Sequence, residues 1–146
     1  MRLSKKFISD YIDIQDIDMQ ELAEKMVFAG NEYEEMRPFC EATNLVIGEV
    51  LECVDHPESD HLHICQVDLG DETVQIVCGA PNVRKGLKVI VSKVGATLPD
   101  GIVIKKAKLA GVESNGMICA LSELGLESKY LKEEDKTGIQ ELPSDA

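Results

Sequence analysis

The chain has 146 residues, is 44% hydrophobic and 29% charged, and carries a formal net charge of −12. Its length suits one domain, or a small domain with an appendage, and its apolar content is enough for a sizeable core. So acidic a mean charge argues against non-specific binding to polyanions, and no DNA partner is expected. No apolar run reaches the roughly 18 residues that span a bilayer, so no membrane partner is expected either.

Met1-Arg2-Leu3-Ser4-Lys5-Lys6 is not followed by the apolar stretch of a signal peptide, which points to the cytoplasm. Residues 1–39 read as a helical segment. A short amphipathic turn is predicted from Ser4 to Tyr11, with Phe7, Ile8 and Tyr11 on one side. Asp18 opens a second helix, because Asp18 and Glu21 have the spacing of a capping box. Met19, Leu22, Ala23, Met26 and Val27 then fall at helical spacing, and Gly30 sits where a glycine ends a helix. This segment has few apolar residues of its own and is expected to pack on something else.

From Leu45 the period becomes strand-like. Strands are predicted at 45–51, 63–69, 73–78, 88–94, 102–105 and 116–120. Gly70-Asp71 is a tight turn between the second and third, and Leu98-Pro99-Asp100-Gly101 is a turn in which Pro presets φ. Short strands with regular turn signals predict a small closed barrel or sandwich. Beyond Cys119 the pattern weakens to one helical turn ended by Gly125, a solvated run at 132–136 and a last short strand near 139–143. The scarcity of aromatics, at 4% with no Trp, predicts a core of Val, Ile and Leu.

The cysteines are Cys40, Cys53, Cys65, Cys78 and Cys119, with no C-x-x-C pair. Free thiols buried on strands in a reducing compartment are the expectation. His61 and His63 would share a strand face and could offer two imidazoles to a metal, but spacing fixes no third ligand. Surface histidines beside an acidic loop are therefore expected for His56, His61 and His63, and no metal site is assigned. There is no nucleophile elbow, glycine-rich phosphate loop or H-E-x-x-H, so no catalytic residue is assigned.

Charge is unevenly spread. Residues 81–112 carry Arg84, Lys85, Lys88, Lys93, Lys105, Lys106 and Lys108 against Asp100 alone, whereas 45–80 carry 8 acidic residues and no Lys or Arg. On charge alone two readings stay open, a cationic face for a polyanion and a solvated strand face. Lysines act as point charges for phosphates, and turn N–H groups at Gly111 and at Ser114 to Gly116 can donate to phosphate oxygens. No aromatic lies between Phe39 and Tyr130, so recognition of a folded RNA by shape and backbone is expected rather than base stacking.

Several motifs resemble a family. Val46-Ile47-Gly48-Glu49-Val50, His56-Pro57-Glu58-Ser59-Asp60-His61-Leu62, Val67-Asp68-Leu69-Gly70, Ile76-Val77-Cys78-Gly79-Ala80-Pro81-Asn82 and Lys106 to Ile118 are similar to the OB-fold tRNA-binding domain appended to aminoacyl-tRNA synthetases. The flanks, Leu3 to Ile12, Glu21 to Met26 and Ser122 to Leu126, resemble the N-terminal part of the bacterial phenylalanine–tRNA ligase β-subunit family.

The resemblance implies a mainly β chain, a five-stranded Greek-key OB barrel over 40–146 with a helical appendage over 1–39. It implies a tRNA-binding set of Asn82, Arg84, Lys85, Lys88, Lys93, Lys105, Lys106, Lys108, Ser114 and Asn115, and no chemistry in this piece. The longer parent would charge phenylalanine-specific tRNA using ATP and magnesium held elsewhere, as an α2β2 heterotetramer. Two positions depart from the family's pattern. His61 and Ala110 stand where a Lys or Arg is frequent, which lowers the expected affinity and its salt dependence. The alternative implied is an assembly module with negligible RNA affinity.

Overall fold

The computed structural model describes residues 3–38, 40–126, 129 and 131–146. The chain forms two compact units, Met1–Phe39 and Cys40–Ala146.

The first unit holds two helices, α1 (Lys5–Ser9) and α2 (Met19–Phe28). Ser4 caps α1 by accepting from the Phe7 N–H at 3.1 Å. The Phe7 and Tyr11 rings meet at a tilt of 57° beside it, with centroids 5.3 Å apart. Asp18 caps α2 as expected, accepting from Gln20 N–H at 2.8 Å. Glu21 does not complete the capping box and instead pairs with Lys25 at 2.7 Å. At the other end, Gly30 at φ 87 turns the chain. Its N–H bonds Val27 and the Asn31 N–H bonds Met26 (both 2.9 Å), the paired pattern that satisfies the last carbonyls of a helix. Within this unit Ile14 and Ala23 are buried, while Tyr11 and Phe28 remain 75% and 96% exposed.

The second unit is a barrel. Its strands are β1 (Leu45–Asp55), β2 (His63–Asp68), β3 (Thr73–Cys78), β4 (Lys88–Ser92), β5 (Ala107–Leu109), β6 (Val112–Ser114), β7 (Met117–Ile118) and β8 (Glu141–Leu142). The sheet order is β3-β2-β1-β4-β7, with β8 also paired to β4. A meander of three strands followed by a fourth that returns beside the first is the Greek-key arrangement. The long β1 serves both sides of the barrel, pairing β4 through Leu45–Glu49 and β2 through Glu49–Asp55, with a bulge between Val50 and Glu52 that lets it bend. Gly48 lies two residues before this bulge, where a Cβ would lie 2.8 Å from Val67 Cγ1.

The barrel closes between β3 and the β6–β7 segment. The Asn115 N–H donates to the Gln75 carbonyl at 2.8 Å, and the Val77 N–H donates to Ser114 Oγ at 3.1 Å. Gly116, at φ 141, passes so near β4 that a Cβ would meet the Ser92 carbonyl at 3.0 Å. Val50, Val67, Ile76, Val89 and Val91 are wholly buried inside. Each such side chain contributes about 1.5–3 kcal/mol relative to exposure. A second cluster of Ala96, Leu98, Ile104, Cys119 and Leu124 packs outside the barrel. The fold is thus the mainly β OB barrel with a helical appendage.

Two predicted elements differ. The strand expected at 102–105 is reduced to an isolated bridge between Thr97 and Val103, because residues 96–104 fold back on themselves around the Pro99 turn. The lysine run then enters a hairpin, β5–β6, that was not predicted. Its two-residue loop has Ala110 at φ 46 and Gly111 at φ 81, positive at both positions as a type I′ hairpin requires. The histidine expectation also needs correction. His56 is 3% exposed, held in the loop after β1 where its Nδ1 accepts from the Glu58 N–H at 3.1 Å.

Candidate nucleic-acid interface

The seven cations and three polar residues predicted to bind tRNA do not form one face. Two groups among them are separated along β4. Lys88 and Lys93 are five residues apart, about 16 Å at the rise of a strand.

Asn82, Arg84 and Lys88 form the first group, at the C-terminal segment. The Asn82 side chain is spent on that segment. Its Nδ2 donates to the Ile139 carbonyl at 2.9 Å and its Oδ1 accepts the Ile139 N–H at 3.0 Å. Arg84 makes a two-pronged ion pair with Glu141, both distances 2.9 Å. The paired charges hold the Glu141 carboxyl below its ordinary range and raise the Arg84 guanidinium above its own. Lys88 Nζ donates to the Ala146 carbonyl at 2.7 Å.

The second group surrounds a cleft of about 390 Å³, lined among others by Thr73, Gln75, Lys93, Lys106, Glu113 and Asn115. Lys93 lies between Glu72 at 2.8 Å and Asp71 at 3.3 Å. Hydrogen bonds from Lys93 hold Asp71 below the usual carboxylate range, and the same contacts, Glu72 foremost, raise the lysine. Asn115 contributes its backbone to barrel closure and lies half-buried in the cleft wall.

Ser114 belongs to neither group. It is 3% exposed, and its hydroxyl accepts from Val77 and donates to the Gly116 carbonyl at 3.1 Å. Burial takes it away from any ligand outside the barrel.

Lys85, Lys105, Lys106 and Lys108 are exposed and form no ion pair among the described residues. The last three stand on the arm formed by β5 and the residues before it. Lys108 is the register partner of Glu113. Gln75 was missed from sequence. Its Nε2 donates to the Glu113 carbonyl at 2.8 Å, tying the arm to β3 beside the cleft. The signal available was an amide in the middle of an otherwise apolar strand. The described residues bring together no group of three His, Cys, Asp or Glu able to hold a metal ion. None of their helices is long and apolar enough to cross a membrane.

A closed Greek-key barrel with a lysine-bearing hairpin on its surface defines the class of protein. The chain belongs to the family described as "Putative tRNA binding domain", which matches residues 45–146. Over its full length it is 51% identical to the phenylalanine–tRNA ligase beta subunit of Geobacillus kaustophilus. It is 52% identical to that of Bacillus subtilis over the full chain, and 52% identical to that of Shouchella clausii over 98% of the chain. The match falls in the N-terminal region of these subunits. The chain spans 18% of the length of these curated relatives.

Proposed function

We propose that this chain is an accessory tRNA-binding module of a phenylalanine–tRNA ligase β subunit, aiding aminoacylation without carrying the catalytic site. Its partner is tRNA specific for phenylalanine. The parent is an α2β2 heterotetramer of the cytoplasm, with ATP and magnesium held outside this module. The reading is carried by one coincidence. The family match covers the barrel, and the β5 arm on that barrel offers Lys105, Lys106 and Lys108 exposed and free of ion pairs among the described residues. Lysines so placed exchange counterions for phosphates, and the neighbouring cleft supplies the Asn115 amide for sugar or phosphate oxygens.

The test is a titration of the chain with phenylalanine tRNA at two salt concentrations. Affinity is expected to fall as salt rises. Replacing Lys105, Lys106 and Lys108 by Ala is expected to weaken binding and flatten the log–log salt slope by up to about 2. Unchanged binding in that variant overturns the placement.

A second reading, an assembly module with negligible RNA affinity, has its own support. Arg84 and Lys93 are neutralised by carboxylates, Lys88 is bonded to a backbone carbonyl, and Asn82 and Ser114 are structural. It predicts no measurable tRNA affinity at low salt, and misassembly of the parent when the module is deleted.

A further inference from the structure

The barrel contains a thiol pair for which RNA binding has no use. Cys53 on β1 and Cys65 on β2 are direct register partners. Their sulfurs are 3.8 Å apart. The His56 N–H donates to the Leu62 carbonyl at 2.9 Å, which marks that pair as hydrogen-bonded. Alternation along the ladder then makes Cys53 and Cys65 a non-hydrogen-bonded pair, the kind whose Cα atoms approach to about 4.5 Å. That lies within the roughly 4.4–6.8 Å over which a disulfide closes without moving the backbone.

The two thiols differ in access. Cys65 is wholly buried, whereas Cys53 is half-buried. The Cys53 S–H donates only a long, weak hydrogen bond to the Val83 carbonyl, at 3.8 Å. Burial, and then the neighbouring Cys53, push the Cys65 thiol up, so it stays protonated at neutral pH. Cys78 on β3 is the nearest competitor. It is the register partner of His63, two residues along from the Cys65–Ile76 pair, and its sulfur accepts the Ala80 N–H at 3.5 Å.

We propose that Cys53 and Cys65 are a redox-sensitive dithiol that a hydroperoxide converts into a disulfide bridging β1 and β2. The Cys53 thiolate attacks the distal peroxide oxygen. The O–O bond breaks, a sulfenic acid forms, and the other oxygen leaves with a proton as water or alcohol. Cys65 then attacks the sulfenic sulfur. The S–S bond forms, the S–O bond breaks, and water leaves carrying the Cys65 proton. Two thiols are oxidised and one peroxide is reduced. The product closes the short loop that carries His56, Glu58 and His61.

The test treats the reduced 146-residue chain with hydrogen peroxide, alkylates the remaining thiols and maps the peptides without reduction. No Lys or Arg lies between Arg37 and Arg84, so trypsin would leave four cysteines in one peptide. Cleavage after glutamate, at Glu52, Glu58 and Glu72 among others, puts Cys53, Cys65 and Cys78 in separate peptides. The expected result is the Cys53 peptide joined to the Cys65 peptide, with Cys40, Cys78 and Cys119 alkylated. Dithiothreitol should reverse it, Cys53→Ser should abolish it and Cys78→Ser should preserve it. Five alkylated thiols after oxidation, a Cys53–Cys78 link, or links only between chains would overturn the proposal. The mapping of the unmodified sequence decides the matter even if a variant folds poorly.

Discussion

Replacing Ser114 by Ala separates a structural role from an RNA contact. The Ser114 hydroxyl accepts from the Val77 N–H at 3.1 Å and donates in turn to the Gly116 carbonyl. Val77 and Ser114 are 7% and 3% exposed, so water cannot readily replace the hydroxyl. A buried N–H left unpaired costs about 1–3 kcal/mol. For a chain with a urea dependence of about 1–3 kcal/mol per molar, the unfolding midpoint should fall by about 1 M. Urea denaturation of the variant beside the parent sequence measures this, and a tRNA titration of the folded variant should keep its salt slope. An unmoved midpoint would refute the assignment of Ser114 to barrel closure. A variant of normal stability that loses tRNA affinity would return Ser114 to the contact surface.

Three more expectations follow from the geometry. Ala110 holds a left-handed conformation that costs an L residue about 1–2 kcal/mol. Ala110→Asn, giving the Asn-Gly pair of type I′ turns, should therefore raise stability by about 0.5–1 kcal/mol, seen as a higher thermal midpoint. Asn82→Ala frees both backbone groups of Ile139 and should cost about 1–3 kcal/mol, with faster amide exchange confined to 139–142 as the distinguishing sign. Glu141 has a native carboxyl held below its ordinary value of 4.5 by Arg84, so its stabilising contribution is present above that pH and is lost as pH falls through the lower native value. Glu141→Gln should be less stable than the parent at neutral pH by under about 1 kcal/mol, because the pair is partly exposed, and the gap should close in acid. A gap that is constant with pH would count against the ion pair.

The elements legible in the sequence are those whose determinants lie close together in the chain. Asp18 and Gly30 bracket α2 because a cap and a left-handed stop act within one turn of the helix they bound. The alternation of 63–69 and 73–78 about Gly70-Asp71 locates β2 and β3, since a tight turn fixes register locally. The β5–β6 hairpin was missed because its loop is Ala110-Gly111, and alanine carries no signal for positive φ.

The candidate site was less legible. Charge marked the lysines, and no local pattern revealed which of them had carboxylate partners. Arg84 meets Glu141 across 57 residues and Lys93 meets Asp71 across 22. His56 is buried by a loop whose composition is that of a surface. Asn82 and Ser114 read as contacts because polar residues in turns suit phosphates, but both satisfy backbone groups inside the fold.

The sequence by itself determined the strand periodicity, the apolar core residues, the helix caps and the excess of cations between 81 and 112. These depend on side-chain chemistry over a few neighbouring residues. The tertiary structure decided which cations remain available, where Ser114 and Asn82 are spent, and that Cys53 faces Cys65. Each of these depends on barrel closure, which brings residues from distant strands within hydrogen-bonding range.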